Sequence, residues 1–118
     1  MSEEKKKIAE DIMMKMEKRL NENKDLNEGW GKSVQVIYTD IETGYQIKFA
    51  MDGSVERVER KAASECKPED AQATFFGAVD HIKYIIDGKI SAMEALGTGK
   101  FRIEGPLEAL KKLGPAIM

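Results

Sequence analysis

The chain has 118 residues, 42% apolar and 34% charged, with a net charge of −2. That length reads as one domain, 1–118, with enough apolar residues for a core, and the composition excludes a disordered chain. The slight acidic surplus argues against a nucleic-acid module, which carries a basic one.

Residues from about Glu3 to Asn21 read as an amphipathic helix. Ile8, Ala9, Ile12, Met13, Met16 and Leu20 share one side, and Lys7, Asp11, Lys15 and Lys18 the other. Met14 is the apolar exception and is expected to be partly exposed. The polar face mixes Glu10, Asp11 and Glu17 with its lysines, which favours core packing over membrane docking. Asp25 to Gly31 is a polar connector with the single tryptophan, Trp30.

Three strands with tight turns follow. Lys32 to Glu42 is rich in β-branched residues, and Tyr45, Ile47, Phe49 and Met51 alternate with Gln46, Lys48 and Ala50. Asp52-Gly53 marks a hairpin turn. Ser54 to Lys61 is highly charged and alternates poorly, as suits an edge strand. A connector from Ala62 to Pro68 is long enough to cross the sheet, and Ala71 to Phe76 reads as a fourth strand.

After Gly77 a helix carries Val79, Ile82, Ile85 and Ile86 on one stripe and ends at Gly88, the position of a C-terminal glycine cap. His81 falls at the edge of that stripe, where a solvent-facing role is expected. Ser91-Ala92-Met93-Glu94 fits a capping box opening a short helix, with Met93, Leu96 and Ala92 as its inner face. Gly97-Thr98-Gly99 ends it, and Lys100 to Glu104 is a fifth strand with Phe101 and Ile103 on one face. Gly105-Pro106 opens a last helix with Leu107, Ala109, Leu110 and Leu113 inward. Gly114-Pro115 interrupts the pattern and leaves Ala116-Ile117-Met118 as an apolar tail.

Motifs for chemistry are scarce. Gly97-Thr98-Gly99 follows a helix and precedes a strand, the reverse of a phosphate loop. One histidine and one cysteine leave no catalytic triad and no nitrogen–sulfur metal site. The carboxylates sit on helix faces and turns beside Lys or Arg, as a solvated surface would have them. No segment resembles a signal peptide or approaches the ~18 apolar residues of a membrane span, so a soluble, cytoplasmic protein is expected. No cofactor and no metal is expected.

The run in which an apolar helix ends at Gly88-Lys89-Ile90 carries a family resemblance. A short helix with Ala95 and Leu96 follows, and Gly99-Lys100-Phe101-Arg102-Ile103-Glu104-Gly105 then leads into a helix with Leu110, Lys112 and Leu113. This pattern resembles the lipid-binding domain family of sterol carrier protein type 2, whose members show a Gly-Lys-Leu element and a Gly-Lys-apolar-x-apolar-x-Gly strand at these places. The resemblance spans about Ile8 to Leu113. It implies an α/β fold of α+β type. Helices pack over one face of a five-stranded, mainly antiparallel sheet and enclose a hydrophobic tunnel. It also implies non-catalytic binding and intracellular transfer of lipids, namely fatty acids, fatty acyl-CoAs, phospholipids or sterols, with transient membrane contact and no nucleic acid. The chain ends Pro-Ala-Ile-Met rather than in the small-basic-Leu tripeptide of peroxisomal members, so a peroxisomal location is not carried over.

The tunnel walls expected on this basis are Phe49, Phe75, Ile82, Ile85 and Ile86 from the sheet and long helix. Met93, Leu96, Phe101, Ile103 and Leu110 come from the following segment, with Ile117 and Met118 closing one end. On composition alone a close-packed core accounts for the same residues. Two alternatives therefore stand beside lipid binding. One is an accessory or dimerisation module of the same fold without a cavity, and the other a small enzyme acting on an apolar substrate.

Overall fold

The computed structural model describes residues 2–117, so the expectation for Met118 lies outside the described residues. Five strands are formed, β1 (Ser33–Tyr38), β2 (Thr43–Phe49), β3 (Val55–Ala62), β4 (Ala73–Gly77) and β5 (Phe101–Glu104). The helices are α1 (Ser2–Glu22), α2 (Val79–Ile86), α3 (Ala92–Gly97) and α4 (Glu108–Ile117). The sheet is open, in the order β3-β2-β1-β4-β5. Among the described residues only the β1–β4 pairing is parallel, so the sheet is mainly antiparallel, as expected.

Register puts Val34 beside Ile47 and Ala73, Val36 beside Tyr45 and Phe75, and Phe75 beside Ile103. Because side chains alternate across a strand, these residues share one face, and the helices pack there. From α1 that core takes Ala9, Ile12, Met13, Met16 and Leu20, while Met14 is 68% exposed. The charged β3 is an edge strand, as its sequence predicts.

The opposite face is covered by the β3–β4 connector, which crosses the sheet as expected. Gln35 on β1 donates from Nε2 to the carbonyl of Lys67 at 3.0 Å and to Thr74 Oγ1 at 3.1 Å. Gln46 holds the carbonyl of Asp70 at 2.6 Å. Gly44 lies directly beneath Cys66, where a Cβ would strike the sulfur. Burial pushes the Cys66 thiol up, with Lys61 opposing and Glu65 and Asp70 adding to it, so the thiol is not activated.

Three local expectations are corrected. The first strand ends at Tyr38 rather than Glu42, because the chain leaves the sheet to deliver Asp40 to the N-terminus of α2. Residues 116–117 are not a tail, because α4 continues through Gly114 and Pro115 and buries Ala116 and Ile117. A proline removes only its own N–H and blocks one carbonyl a turn earlier, which a final helical turn tolerates when other groups hold the carbonyls. The connector residue Asn27 is fully buried, and it donates to the carbonyl of Lys112 in α4 at 3.0 Å.

Candidate functional site

The candidate site lies where α3 and α4 meet above the β4–β5 end of the sheet. Its floor begins with α2, whose Val79, Ile82, Ile85 and Ile86 are all buried. The α2 N-terminus is satisfied from a distance. Asp40 Oδ1 accepts from the Val79 N–H at 3.0 Å, and Oδ2 accepts from Lys5 at 3.0 Å. Burial raises the Asp40 carboxyl, but the Val79 N–H and the Lys5 ammonium outweigh it and hold it below the usual carboxylate range. At the other end Gly88, with φ +77, closes the helix, and Lys89 N–H bonds the Tyr84 carbonyl at 2.9 Å.

Arg19 of α1 ties two helix ends together. Its Nη1 donates to the carbonyl of Ile86 and to that of Ala116, each at 2.9 Å. A cation at helix C-termini meets the negative end of each macrodipole and satisfies carbonyls that lack helical partners.

Ser91 caps α3 by accepting the Glu94 N–H at 3.0 Å. Among the described residues only this half of the expected capping box forms. The inner face of α3 is Ala92 and Ala95, with Leu96 half-buried. Met93, expected inward, is 68% exposed. In β5 Phe101 is buried and stacks on Phe75, with centroids 5.8 Å apart and planes 17° from parallel. Gly105 has φ +126 and lies so close to Ala73 that a Cβ would sit 2.9 Å from its Cα, so the turn into α4 requires glycine. α4 then buries Ala109, Leu113, Ala116 and Ile117, whereas Leu107, also expected inward, is 66% exposed.

Alanines thus face inward on both helices, beside Leu113 and Ile117 on α4, while Met93 and Leu107 stand at the rim. The result is an open groove of about 360 Å3 walled by Ala92, Met93, Leu107, Leu110 and Ile117, with Ser91 and Lys111 at its edges. Three of the expected tunnel residues, Met93, Leu110 and Ile117, line it. Phe75, Phe101, Ile82, Ile85 and Ile86 do not line it but belong to the buried core, against which Leu96 and Ile103 pack half-buried. Phe49 sits against Trp30, edge to face at 5.5 Å, and not in the groove. Reading by periodicity missed Ala92, Leu107 and Lys111 as groove residues. The i, i+3 spacing of Leu107 and Leu110 was a signal for one shared face, but not for its exposure.

The groove's polar groups are few. Ser91 Oγ is engaged as a cap, and Lys111 is the one charged side chain among the lining residues. The buried Tyr38 hydroxyl, on the sheet, donates to the Met13 sulfur at 3.3 Å, and burial together with Tyr45 pushes its acidity far from neutrality. Among the described residues no group of three His, Cys, Asp or Glu side chains could hold a metal. No helix there is long and apolar enough to cross a membrane.

The described residues thus form an open, mainly antiparallel sheet with helices on one face and an apolar groove between the last two. The sequence matches the SCP-2 sterol transfer family over residues 13–117, and the chain belongs to that family. Membership supports lipid binding or transfer in general. Among solved structures, a sterol carrier protein 2 like 2 from Aedes aegypti superimposes with a TM-score of 0.67 at 15% identity, over 95% of this chain and 98% of that one. A sterol carrier protein 2 gives 0.64 at 14% identity, over 89% and 86%. A stereoselective inverting sec-alkylsulfatase from Pseudomonas sp. gives 0.62 at 14% identity, over 80% of this chain. This chain spans 14% of the sulfatase's length, so the same fold also occurs as one part of an enzyme. At these identities the likeness is one of fold. No curated protein sequence matches the chain.

Proposed function

We propose that this protein is a single-domain, cytoplasmic, non-catalytic carrier that binds a lipid by its apolar chain and exchanges it with a membrane. The ligand classes are fatty acids, fatty acyl-CoAs, phospholipids and sterols. The observation that carries this reading is the α3–α4 groove, whose exposed lining is almost wholly apolar. It is the mouth of the compartment, with Met93, Leu110 and Ile117 at the opening. Phe75, Phe101, Ile82, Ile85, Ile86, Leu96 and Ile103 form the walls that a chain meets as it enters, and Phe49 and Met118 complete the proposed lining. Each CH2 taken from water contributes roughly 0.8 kcal/mol, so an acyl chain needs few polar contacts to bind. The inward face of α3 is alanine, so α3 can move away from α4 without withdrawing a fully buried large side chain, while Leu113 anchors α4.

The test is titration with a fluorescent fatty acid, together with native mass spectrometry of the purified protein. Saturable uptake, or a copurifying lipid, is expected. Leu110→Trp should weaken uptake roughly tenfold, about 1.4 kcal/mol, by filling the groove. No uptake and no copurifying lipid would sink the reading. A second reading, an accessory module without a ligand compartment, draws on the tight Phe75–Phe101 stack behind the groove. It predicts concentration-dependent self-association without lipid uptake, which sedimentation analysis distinguishes.

A further inference from the structure

Two clefts flank α3, and their chemistries differ. On one side is the apolar groove. On the other is a cleft of about 370 Å3 lined by His81, Tyr84, Lys89, Ile90, Glu94, Ala95 and Lys100. Glu94 is the one carboxylate among those seven. The Lys89 ammonium lies 5.6 Å from the centre of the Tyr84 ring. From Lys89 to Lys112 the chain carries five basic residues against three acidic ones (Glu94, Glu104 and Glu108), although the whole chain is net −2. The lysines here also differ in their partners. The lysines beside the α1–α2 cleft, Lys15 and Lys83, pair with Asp87, whereas Lys89, Lys100 and Lys111, like Lys6, Lys7 and Lys18 of α1, make no ion pair among the described residues.

Met93 and Leu107 stand exposed, at 68% and 66%, in the groove lining beside Lys111, while Lys89 and Lys100 line the cleft on the other side of α3. Two large apolar side chains at the mouth of an apolar groove, beside unpaired ammonium groups, have the chemistry of a bilayer interface. Apolar groups enter the acyl boundary there, and lysines meet the lipid phosphates. The outward face of α1 lacks this arrangement. Its exposed Met14 lines a cleft with Ile8, Ile12 and Ile86, but the lysines there, Lys15 and Lys83, are both paired with Asp87.

We propose that the α3–α4 end is the surface on which this protein docks to an anionic bilayer. Met93 and Leu107 are immersed, and Lys89, Lys100 and Lys111 contact the phosphates. Docking this way sets the groove mouth against the lipid, so a chain passes between bilayer and protein without crossing water. That passage rests on the carrier function proposed above, whereas docking itself does not.

The experiment is co-sedimentation with phosphatidylcholine vesicles, with and without phosphatidylserine, run in parallel with fatty acid uptake in vesicle-free solution. Wild-type protein should bind the phosphatidylserine vesicles and be released by salt. The double variant Lys89→Glu/Lys100→Glu, outside the groove, should bind roughly tenfold more weakly while its uptake is unchanged. Met93→Ser/Leu107→Ser should also lose vesicle binding at an unchanged melting temperature. Lys7→Glu/Lys18→Glu/Met14→Ser on α1 should have no effect. Loss of binding only in the α1 variant overturns the proposal. So does equal binding by the two α3–α4 variants, and so does absence of vesicle binding by wild type, as expected if the face takes an acidic protein instead. Vesicle binding without uptake would overturn the carrier function and leave docking standing.

Discussion

The α1–α2 half of the helical layer and the α3–α4 half cover the same face of one sheet, yet they distribute their apolar residues in opposite ways. α1 and α2 turn large side chains inward, including Ile12, Met16, Leu20, Ile82 and Ile86, and expose little beyond Met14 and Tyr84. α3 turns only alanines fully inward, at 92 and 95, and α4 buries Ala109 and Ala116 beside Leu113 and Ile117, while Met93 and Leu107 stay outside. Large-in packing fills space and gives stability. Small-in packing lets helices approach while leaving a channel between their rims. One layer therefore combines a base of large inward side chains with a flank whose α3 packs through alanines.

The comparison breaks most sharply if stability is not concentrated in the first half. Met16→Ala should lower the unfolding free energy by about 2–5 kcal/mol, the range for truncating a fully buried side chain. Met93→Ala should stay within about 0.5 kcal/mol. Urea denaturation of both variants checks the contrast, and similar losses would erase the distinction between the halves. Next in size is the tie between them. Arg19→Ala leaves the Ile86 and Ala116 carbonyls without their donor and should cost about 2 kcal/mol. It should also raise hydrogen exchange in α4 more than in α1, and uniform exchange would show that Arg19 does not hold the halves together.

A smaller effect lies at the base of α2. The Asp40 carboxyl is held low in the folded protein, so the unfolded chain takes up its proton first as pH falls. Its stabilisation is complete above the ordinary carboxylate value near 4 and is lost as pH drops through the lower folded value. Asp40→Asn should therefore be less stable than wild type by about 0.5–1 kcal/mol at pH 7, allowing for solvent access. The two stability curves should converge at acid pH. A constant gap down to pH 2 would show that the charge is not what matters.

Much of this was legible residue by residue. The α1 stripe, the β2 alternation and the charged edge β3 follow from local periodicity, which records how a segment faces a core. The parts that were not legible depend on distant partners. Asn27 looks like an ordinary connector residue because its acceptor, the Lys112 carbonyl, is 85 residues away. Asp40 looks like part of a strand because the helix it caps is 39 residues further on. Met93 and Leu107 were misplaced for another reason. On the short α3 two adjoining stripes both contain apolar residues, and periodicity cannot say which one the sheet accepts; Leu107 lies in the turn before α4, where helical periodicity does not apply. Here the alanine stripe faces in, and that choice makes the groove.

The single parallel pairing has a consequence for the order of assembly. β1, β2 and β3 close on one another through short turns, whereas β1 meets β4 only after the chain has crossed the sheet, bringing together Gln35 and Thr74, 39 residues apart. Closing the longer loop costs more chain entropy, and its contacts return nothing until the crossing is complete. The groove-bearing half is built on β4 and β5, beyond that crossing. Its anchors to the N-terminal part of the chain are longer-range still, Arg19 to Ala116 across 97 residues and Asn27 to Lys112 across 85, and each such closure costs correspondingly more chain entropy.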